Sequence, residues 1–450
     1  MDKMQRLVVI GAVAAGTSAA AKAKRTNPDL EVVLLERGEH ISYAGCGLPY
    51  FISGVVPSAE KLIARTPEEF RKSGVDLRTR HEVMEIDPAH NWVRVADLDA
   101  AKEYALSYDA LVIATGAVPF RPPVPGIDLP GVFVLRTMSD GLALHEIVRT
   151  KPPKSVVIVG GGSIGLEMAE SFHALGLPVT IVEVASQVMV YLDEDMSKLV
   201  LAELERNGVR VLLNDGLIRC EGAGRVEKVI TQHNEIPADL VLIAIGVRPN
   251  TRLAEKAGVR LGAGRAIAVD KYMHTNFENI YAAGDCVDAI HQVTGERTYV
   301  PMGSTANKQG RVAGGSAAGM PCAFEGVAGT AVAKVFGLEV ARTGLTEQQA
   351  RASGFDVGIS SISASNHARY YPGATQLHIK LVFDQSTRVL LGAQFIGAEG
   401  AAKRVDVPAA ALSAKMTVDD LTRVDFSYAP PYATAYDATL VAANVVSKCR

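Results

Sequence analysis

Cys46 lies in the segment ISYAGCGLPY with no second cysteine within a turn or two of it. A lone thiol cannot close an internal disulfide, so its oxidised form is a mixed disulfide with a small thiol, a persulfide or a sulfenic acid. The alternative is a free cysteine acting as a small buried hydrophobe. Two glycine turns flank the question. The strand-like run Leu7–Ile10 delivers the chain to Gly11 and Gly16, with Glu36 placed 20 residues after Gly16. The run SVVIVGGGSIGLE carries Gly160, Gly162 and Gly165, with Glu183 18 residues beyond. In such a turn the free N–H groups of a helix start receive a pyrophosphate, and the acid at the end of the next strand accepts from ribose hydroxyls. The second turn is the intact fingerprint; in the first, Val13 takes the middle glycine's place and the motif alone is weak. Glu183 favours the free 2'-hydroxyl of NADH over NADPH, and Val184, Ala185, Ser186 and Gln187 supply no cation for a 2'-phosphate.

The elements that must hold these groups form an internal repeat. Each half opens on a strand and glycine turn and closes on an apolar strand that follows an Asp and runs into a small-residue turn with proline: YDALVIATGAVP with Asp109, Gly116 and Pro119, and ADLVLIAIGVRP with Asp239, Gly246 and Pro249. Runs such as Glu31–Leu35 and Val179–Val182 read as strands and Asp195–Asn207 as a helix, so doubly wound parallel sheets are expected. Pro119–Pro130 and the turn Lys151–Lys154 read as connections. After about residue 325, TQLHIKLVFD and RVLLGAQFIG read as paired strands around Gln385, Ser386 and Thr387, followed by a helix near Val407–Lys415, which predicts an α+β third domain.

A chain of 450 residues is long enough for two to four domains, and a net charge of −3 offers no basic field for nucleic acid. Five scattered cysteines, Cys46, Cys220, Cys286, Cys322 and Cys449, without a Cys-x-x-Cys pair, argue against a disulfide framework or a metal site and for a reducing cytoplasm. Lys3 and Arg6 ahead of the small-residue run Leu7–Ala23 imitate a signal peptide, but the Glu36 spacing assigns the run to a nucleotide turn. No apolar run reaches the roughly 20 residues of a membrane span.

With ATG at Ala114, Thr115 and Gly116, AAGD ending on Asp285, and the lone Cys46, the chain resembles the pyridine nucleotide-disulfide oxidoreductases. SYAGCGLPY, HARYYPGA and SYAPPY make it most similar to the single-cysteine coenzyme A disulfide reductases within that family, beside coenzyme A persulfide reductases and NADH oxidases. The resemblance implies a discontinuous FAD domain over residues 1–120 and 248–325, an NAD(P)H domain over 121–247 and a dimerisation domain over 326–450. It implies that FAD meets Gly11, Gly16, Glu36, Arg37, Ser42 and Val83, the Ala114–Gly116 turn, Met302, and Asp285 at the ribityl chain. NADH, with NADPH possible, would meet Gly160, Gly162, Ile164, Gly165, Glu183 and Gly246, with Glu167 beside the nicotinamide. Coenzyme A would meet Ser18, Lys22, Arg25, Ser42 and Asn307, with Tyr436 from the partner of a homodimer. Tyr370 and Tyr428 would reach Cys46 from the partner too, as hydrogen-bond donors to a leaving thiolate.

Departures narrow the choice. Ala14 stands where peroxidase relatives carry a histidine, the second cysteine and the C-terminal His-Pro of two-cysteine reductases are missing, and no rhodanese domain is expected. The implied reaction reduces coenzyme A disulfide, persulfide or polysulfide at an ionised Cys46, whose thiolate the helix expected at about Gly47–Phe51 would favour. An NADH oxidase working through a sulfenic acid, and a flavin-bound redox sensor or electron-transfer partner, are the alternatives.

Overall fold

The computed structural model describes residues 6–447, so Lys3 and Cys449 lie outside the described residues. Four-residue runs of aliphatic side chains such as Leu7–Ile10 and Val156–Val159 are almost wholly buried, as parallel strands covered on both faces require. Each fully buried Val, Leu or Ile contributes about 1.5–3 kcal/mol, so these short strands seat both sheets firmly.

The two sheets are built alike. In the first, Val75–Thr79, Glu31–Glu36, Arg6–Ile10, Ala110–Ile113 and Ile280–Ala282 lie side by side, all parallel. In the second, Arg210–Leu212, Val179–Val182, Val156–Val159 and Leu240–Ile243 repeat that order, all parallel, and the outer place is taken by Val132–Phe133, which comes before the others in the chain where Ile280–Ala282 comes after. Each unit also carries an antiparallel three-stranded flap, His81–Asp87 with Trp92–Asp97 and Lys102–Ser107 in one, Leu217–Glu221 with Lys228–Thr231 and Glu235–Pro237 in the other. The chain leaves the first unit along Ala117–Pro119 and returns along Val247–Pro249, and these two stretches pair antiparallel. The helix Gly303–Ala317 then packs on the helix Ala14–Thr26 at very close range: a Cβ on Gly310 would lie 2.2 Å from the Ala15 carbonyl oxygen, and one on Gly314 2.1 Å from that of Ala19.

The C-terminal unit is the α+β domain expected. Its antiparallel sheet runs Ala331–Val335, Leu338–Gly344, Leu390–Gly397, Gln376–Asp384, Val357–Ser365. Strand alternation splits its side chains. Ala341, Ile379, Leu381 and Phe395 pack with the C-terminal helices, including Asp406–Ser413 and Ala438–Val446, whereas Val335, Val340 and Ile396 join the core of the second unit.

Glycine is mandatory at the heads of both central strands. Gly11 has φ +99° with a Cβ position 2.3 Å from the Ala114 carbonyl oxygen, and Gly160 has φ +112° with one 2.4 Å from that of Ala244. Gly11→Ala therefore meets both a left-handed backbone and a backbone clash, and it is expected to cost more than about 3 kcal/mol and to strip FAD from the protein. Thermal unfolding and the flavin content of the purified variant check this.

Candidate active site

The turns and their acids form two superposable sites. The Glu36 carboxylate accepts from the backbone N–H of Ala12 (2.8 Å) and Gly38 (2.7 Å). Glu183 accepts from Gly161 (2.6 Å) and Ala185 (2.8 Å). A carboxylate so held is aimed before any ribose arrives, which lowers the cost of ordering it on binding. Ser42 and Met189 occupy matching places beyond the acids. Both have positive φ (+48° and +45°), and each donates its N–H, at 2.8 Å, to the carbonyl following the first glycine, Ala12 and Gly161 respectively.

Around the first turn the structure gathers most of the residues expected to meet FAD. Gly16 has no room for a Cβ, which would sit 1.7 Å from the Gly11 carbonyl oxygen. Ala114 donates to the Ile10 carbonyl at 2.8 Å, and the Thr115 hydroxyl to that of Asn250 at 2.7 Å, fixing the turn that Gly116 completes with φ +68°. Met302 caps the helix Gly303–Ala317, and Val83 lies beside a bulge in the flap, packed on the first core. Arg37 is two-thirds exposed and its ion pair with Glu82, at 3.7 Å, is loose, so it adds little to stability and keeps its guanidinium available. Asp285 follows the strand Ile280–Ala282, and its carboxylate receives Arg136 Nη2 at 2.6 Å. Its backbone carbonyl receives the Tyr299 hydroxyl at 2.8 Å. Close backbone approaches, an aimed carboxylate and a helix start together fit FAD.

Cys46 sits in a 3₁₀ turn, Gly45–Gly47, ahead of the helix Leu48–Ser53, and its side chain is exposed. Protein atoms nevertheless crowd one side of it. Burial on that side pushes the thiol pKa above its ordinary value, Glu167 and Asp285 push it further, and Arg136 opposes them. The expected help toward a thiolate from a helix start is not what the structure gives: the helix has only six residues, and acids outnumber cations around the sulfur. Cys220 and Cys286 are buried, with pKa values pushed to about 11 by desolvation, and Cys322 is exposed on the loop after Gly303–Ala317.

Glu167 lies on the helix Ser163–Ala174, capped by Gly162, with Ile164 partly exposed in the first turn and Gly165 packed against the Gly160 carbonyl. That helix is fastened to the one after Cys46, because the Ser171 hydroxyl lies 2.9 Å from the Pro49 carbonyl oxygen. Burial and then Glu170 raise the Glu167 carboxyl to about pH 7. Glu170 is itself tied to Lys334 and accepts from the Phe336 N–H at 2.8 Å. Below pH 7 Glu167 is neutral and leaves Cys46 alone; above it, its charge opposes thiolate formation. Glu167→Gln is therefore expected to move the pH profile of Cys46 alkylation to lower pH and to remove an inflection near 7, as rates with iodoacetamide would show. Gly246, φ +101°, turns the chain out of the second sheet and accepts from the Phe120 N–H at 3.0 Å.

The residues expected to meet coenzyme A lie mainly on one helix. The Ser18 hydroxyl donates to Asn307 Oδ1 at 2.7 Å, Lys22 is half-buried beside Met320, and Arg25 is exposed one turn on. Tyr370 and Tyr428 meet hydroxyl to hydroxyl at 3.3 Å and stand 76% and 49% exposed, with Tyr436 66% exposed nearby in sequence. None of the three is among the groups acting on Cys46 of the same chain.

Residues 5–310 match the model of the pyridine nucleotide-disulphide oxidoreductases and residues 330–439 that of their dimerisation domain. The chain belongs to this family. It is similar to an NAD(P)H sulfur oxidoreductase (CoA-dependent) of Pyrococcus abyssi, 42% identical over 98% of both chains, and to an NADH oxidase of Methanocaldococcus jannaschii, 39% identical over 98% of both. Among solved structures it is similar to reduced CoADR-RHD of Bacillus anthracis, with TM-score 0.96 and 36% identity over 99% of this chain and 80% of that one. This oxidoreductase family works with FAD and NAD(P)H and forms homodimers through its C-terminal domain. Among the described residues no helix is long and apolar enough to cross a membrane, and no three His, Cys, Asp or Glu side chains are grouped to hold a metal.

Sequence reading missed Arg136, which reaches both Asp285 and the Cys46 environment, and Tyr191, whose hydroxyl shares a hydrogen bond with Ser163 at the head of the second nucleotide helix. Thr137 and Asp140 form a capping box that is legible in Thr-x-x-Asp, but nothing local shows where the preceding arginine points.

Proposed function

We propose that the protein is an FAD-dependent NAD(P)H:disulfide oxidoreductase that reduces coenzyme A disulfide, or a coenzyme A persulfide or polysulfide, at Cys46. The observation that carries this reading is that Cys46, exposed and without a cysteine partner, lies within the influence of both Glu167 beside the second glycine turn and Asp285 in the first unit. The relatives named for CoA-dependent sulfur reduction and CoADR support the substrate class. Gly11, Gly16, Glu36, Ser42, the Ala114–Gly116 turn and Asp285 are assigned to FAD, and Gly160–Gly165, Glu183 and Glu167 to NADH. Bound FAD supplies a two-electron carrier between nicotinamide and sulfur.

The chain's own groups do the rest. Cys46 as a thiolate attacks one sulfur of the disulfide, forming a Cys46–coenzyme A disulfide and releasing one coenzyme A thiolate, which takes a proton. Two electrons from NADH then break that bond, freeing the second coenzyme A and regenerating the Cys46 thiolate. Overall, one disulfide, one NADH and one proton give two thiols and NAD⁺. Arg136 offers the thiolate its nearby positive charge, Glu167 is placed to hold a proton near neutral pH, and the hydroxyls of Tyr370 and Tyr428 from the partner would donate to the leaving sulfur. Lys22 and Arg25 would meet the phosphates. Free thiols and these substrates suit a reducing cytoplasm.

Mass spectrometry of unreduced protein tests the substrate: an adduct of coenzyme A mass on Cys46 is expected, and only unmodified or sulfenic Cys46 would count against it. A relative named NADH oxidase favours a second reading in which Cys46 cycles through a sulfenic acid with oxygen as acceptor. Anaerobic turnover with coenzyme A disulfide separates the two, since the oxidase reading allows none.

A further inference from the structure

Three strands of the C-terminal sheet carry a row of charged and amide side chains across one face. Arg342 stands opposite Gln394, and Gln394 opposite Lys380. Two residues along, on the same face, Val340 stands opposite Ile396, and both pack into the core of the second unit. Arg342, Gln394 and Lys380 are 9%, 1% and 5% exposed, where aliphatic side chains would pack at no electrostatic cost. Gluing two units together needs no such row, as its apolar neighbours show. What polar groups add is direction, because each bond must end on a particular atom.

These bonds converge on one short segment of the second unit. Arg342 Nη1 donates to the Tyr191 carbonyl at 2.6 Å. Gln394 closes a ring with Asp193, accepting its N–H at 2.9 Å and donating to its carboxylate at 2.5 Å. Lys380 bridges Asp193 (3.3 Å), Asp195 (3.0 Å) and Glu347 (3.1 Å), and the Glu347 N–H donates to Asp193 at 3.1 Å. The other end of the same segment is fixed to the glycine turn, through the Met189 N–H on the Gly161 carbonyl. Between the two anchors, the Tyr191 hydroxyl rests on Ser163, the first residue of the helix whose N-terminus would face the pyrophosphate.

We propose that Arg342, Gln394 and Lys380 are positioning residues for the dinucleotide: the C-terminal sheet holds Tyr191 over the head of the nucleotide helix and so sets the affinity for NADH. The inference rests on the reading of the Gly160 turn as the NADH site. A strap ordered in advance spares the ligand the entropy of ordering it, and cutting the strap from the sheet returns that cost to binding. The coupling is reciprocal, so NADH also stiffens the attachment of the second unit to the sheet that dimerises.

Stopped-flow reduction of the FAD-loaded dimer by NADH, without disulfide, reads the half-saturating NADH concentration separately from the limiting rate. Arg342→Met is expected to raise the half-saturating concentration about tenfold, with limiting rate and FAD content within about twofold of wild type. Tyr191→Phe, which leaves packing intact, should raise it several-fold, and the double variant no further than the larger single effect. A purely structural row would lower the melting temperature of Arg342→Met and leave NADH saturation unchanged, overturning the proposal; so would additive effects in the double variant. If Arg342→Met does not fold, unchanged saturation in Tyr191→Phe overturns it alone. Wild-type protein that NADH never saturates would remove the proposed function itself, and this inference with it.

Discussion

Cys46→Ser is expected to lower disulfide reduction by on the order of 10⁴-fold while FAD stays bound. A serine hydroxyl at that position neither ionises near neutral pH nor forms a bond that two electrons can break, so both half-reactions at sulfur are lost. FAD should remain because the residues proposed to meet it, the glycine turn, Glu36 and Asp285, would hold it without the thiol. Anaerobic titration with NADH sharpens the test. If Cys46 is isolated as a mixed disulfide, the wild type takes up about two NADH per subunit, one for FAD and one for sulfur, and the serine variant about one. Cys322→Ser should change neither number, although Cys322 is also exposed. Retention of a tenth or more of the activity in Cys46→Ser would sink the thiol mechanism, and loss of activity in Cys322→Ser would move the redox centre elsewhere.

The parts of this site legible in the sequence are those whose physics is local. Gly11 and Gly160 need a backbone that only glycine adopts readily, and each acid follows its turn at the spacing of one helix and one strand. The substitution of Val13 for glycine weakens the motif on paper but not in the fold. Val13 has φ −102°, and its counterpart Gly162 has φ −83° with open space where a Cβ would be, so neither backbone demands glycine. The repeat, too, runs deeper than the motifs, because the antiparallel flaps share neither glycine nor acid signatures and their likeness emerges only as topology.

What stayed hidden is long-range. Arg136 meets Asp285 across 149 residues, Arg342 meets Tyr191 across 151, and Gln394 meets Asp193 across 201. A buried lysine or arginine looks in sequence like any charge between hydrophobic residues; only register shows that Arg342, Gln394 and Lys380 form one row. The ionisation of Cys46 failed for the same reason. A glycine-flanked cysteine before Leu-Pro-Tyr signals a helix start, but burial and Glu167, brought in by a helix more than a hundred residues later, push the thiol pKa up, and no local pattern shows them.

Replacing Glu183 by Ala together with Val184 by Arg is expected to invert the nucleotide preference. The Glu183 carboxylate is held by two backbone N–H groups, so it cannot swing away from a 2'-phosphate, and the repulsion falls fully on NADPH. Charge-assisted hydrogen bonds of this kind contribute about 1.5–3 kcal/mol, so losing the ribose contact should lower kcat/KM for NADH by about 10- to 100-fold. Removing the acid also leaves the Gly161 and Ala185 N–H groups without their acceptor, which frees them for a phosphate oxygen. Val184 is 67% exposed beside the acid, so an arginine there gains a bidentate phosphate partner without displacing any core contact. Gains of about tenfold or more with NADPH should follow, with FAD content and the disulfide half-reaction unchanged, since neither Glu183 nor Val184 is among the groups acting on Cys46. Steady-state kinetics with each nucleotide decide it. Undiminished NADH turnover in the double variant would mean that the ribose is held elsewhere, and that Glu183 serves only to shape the turn.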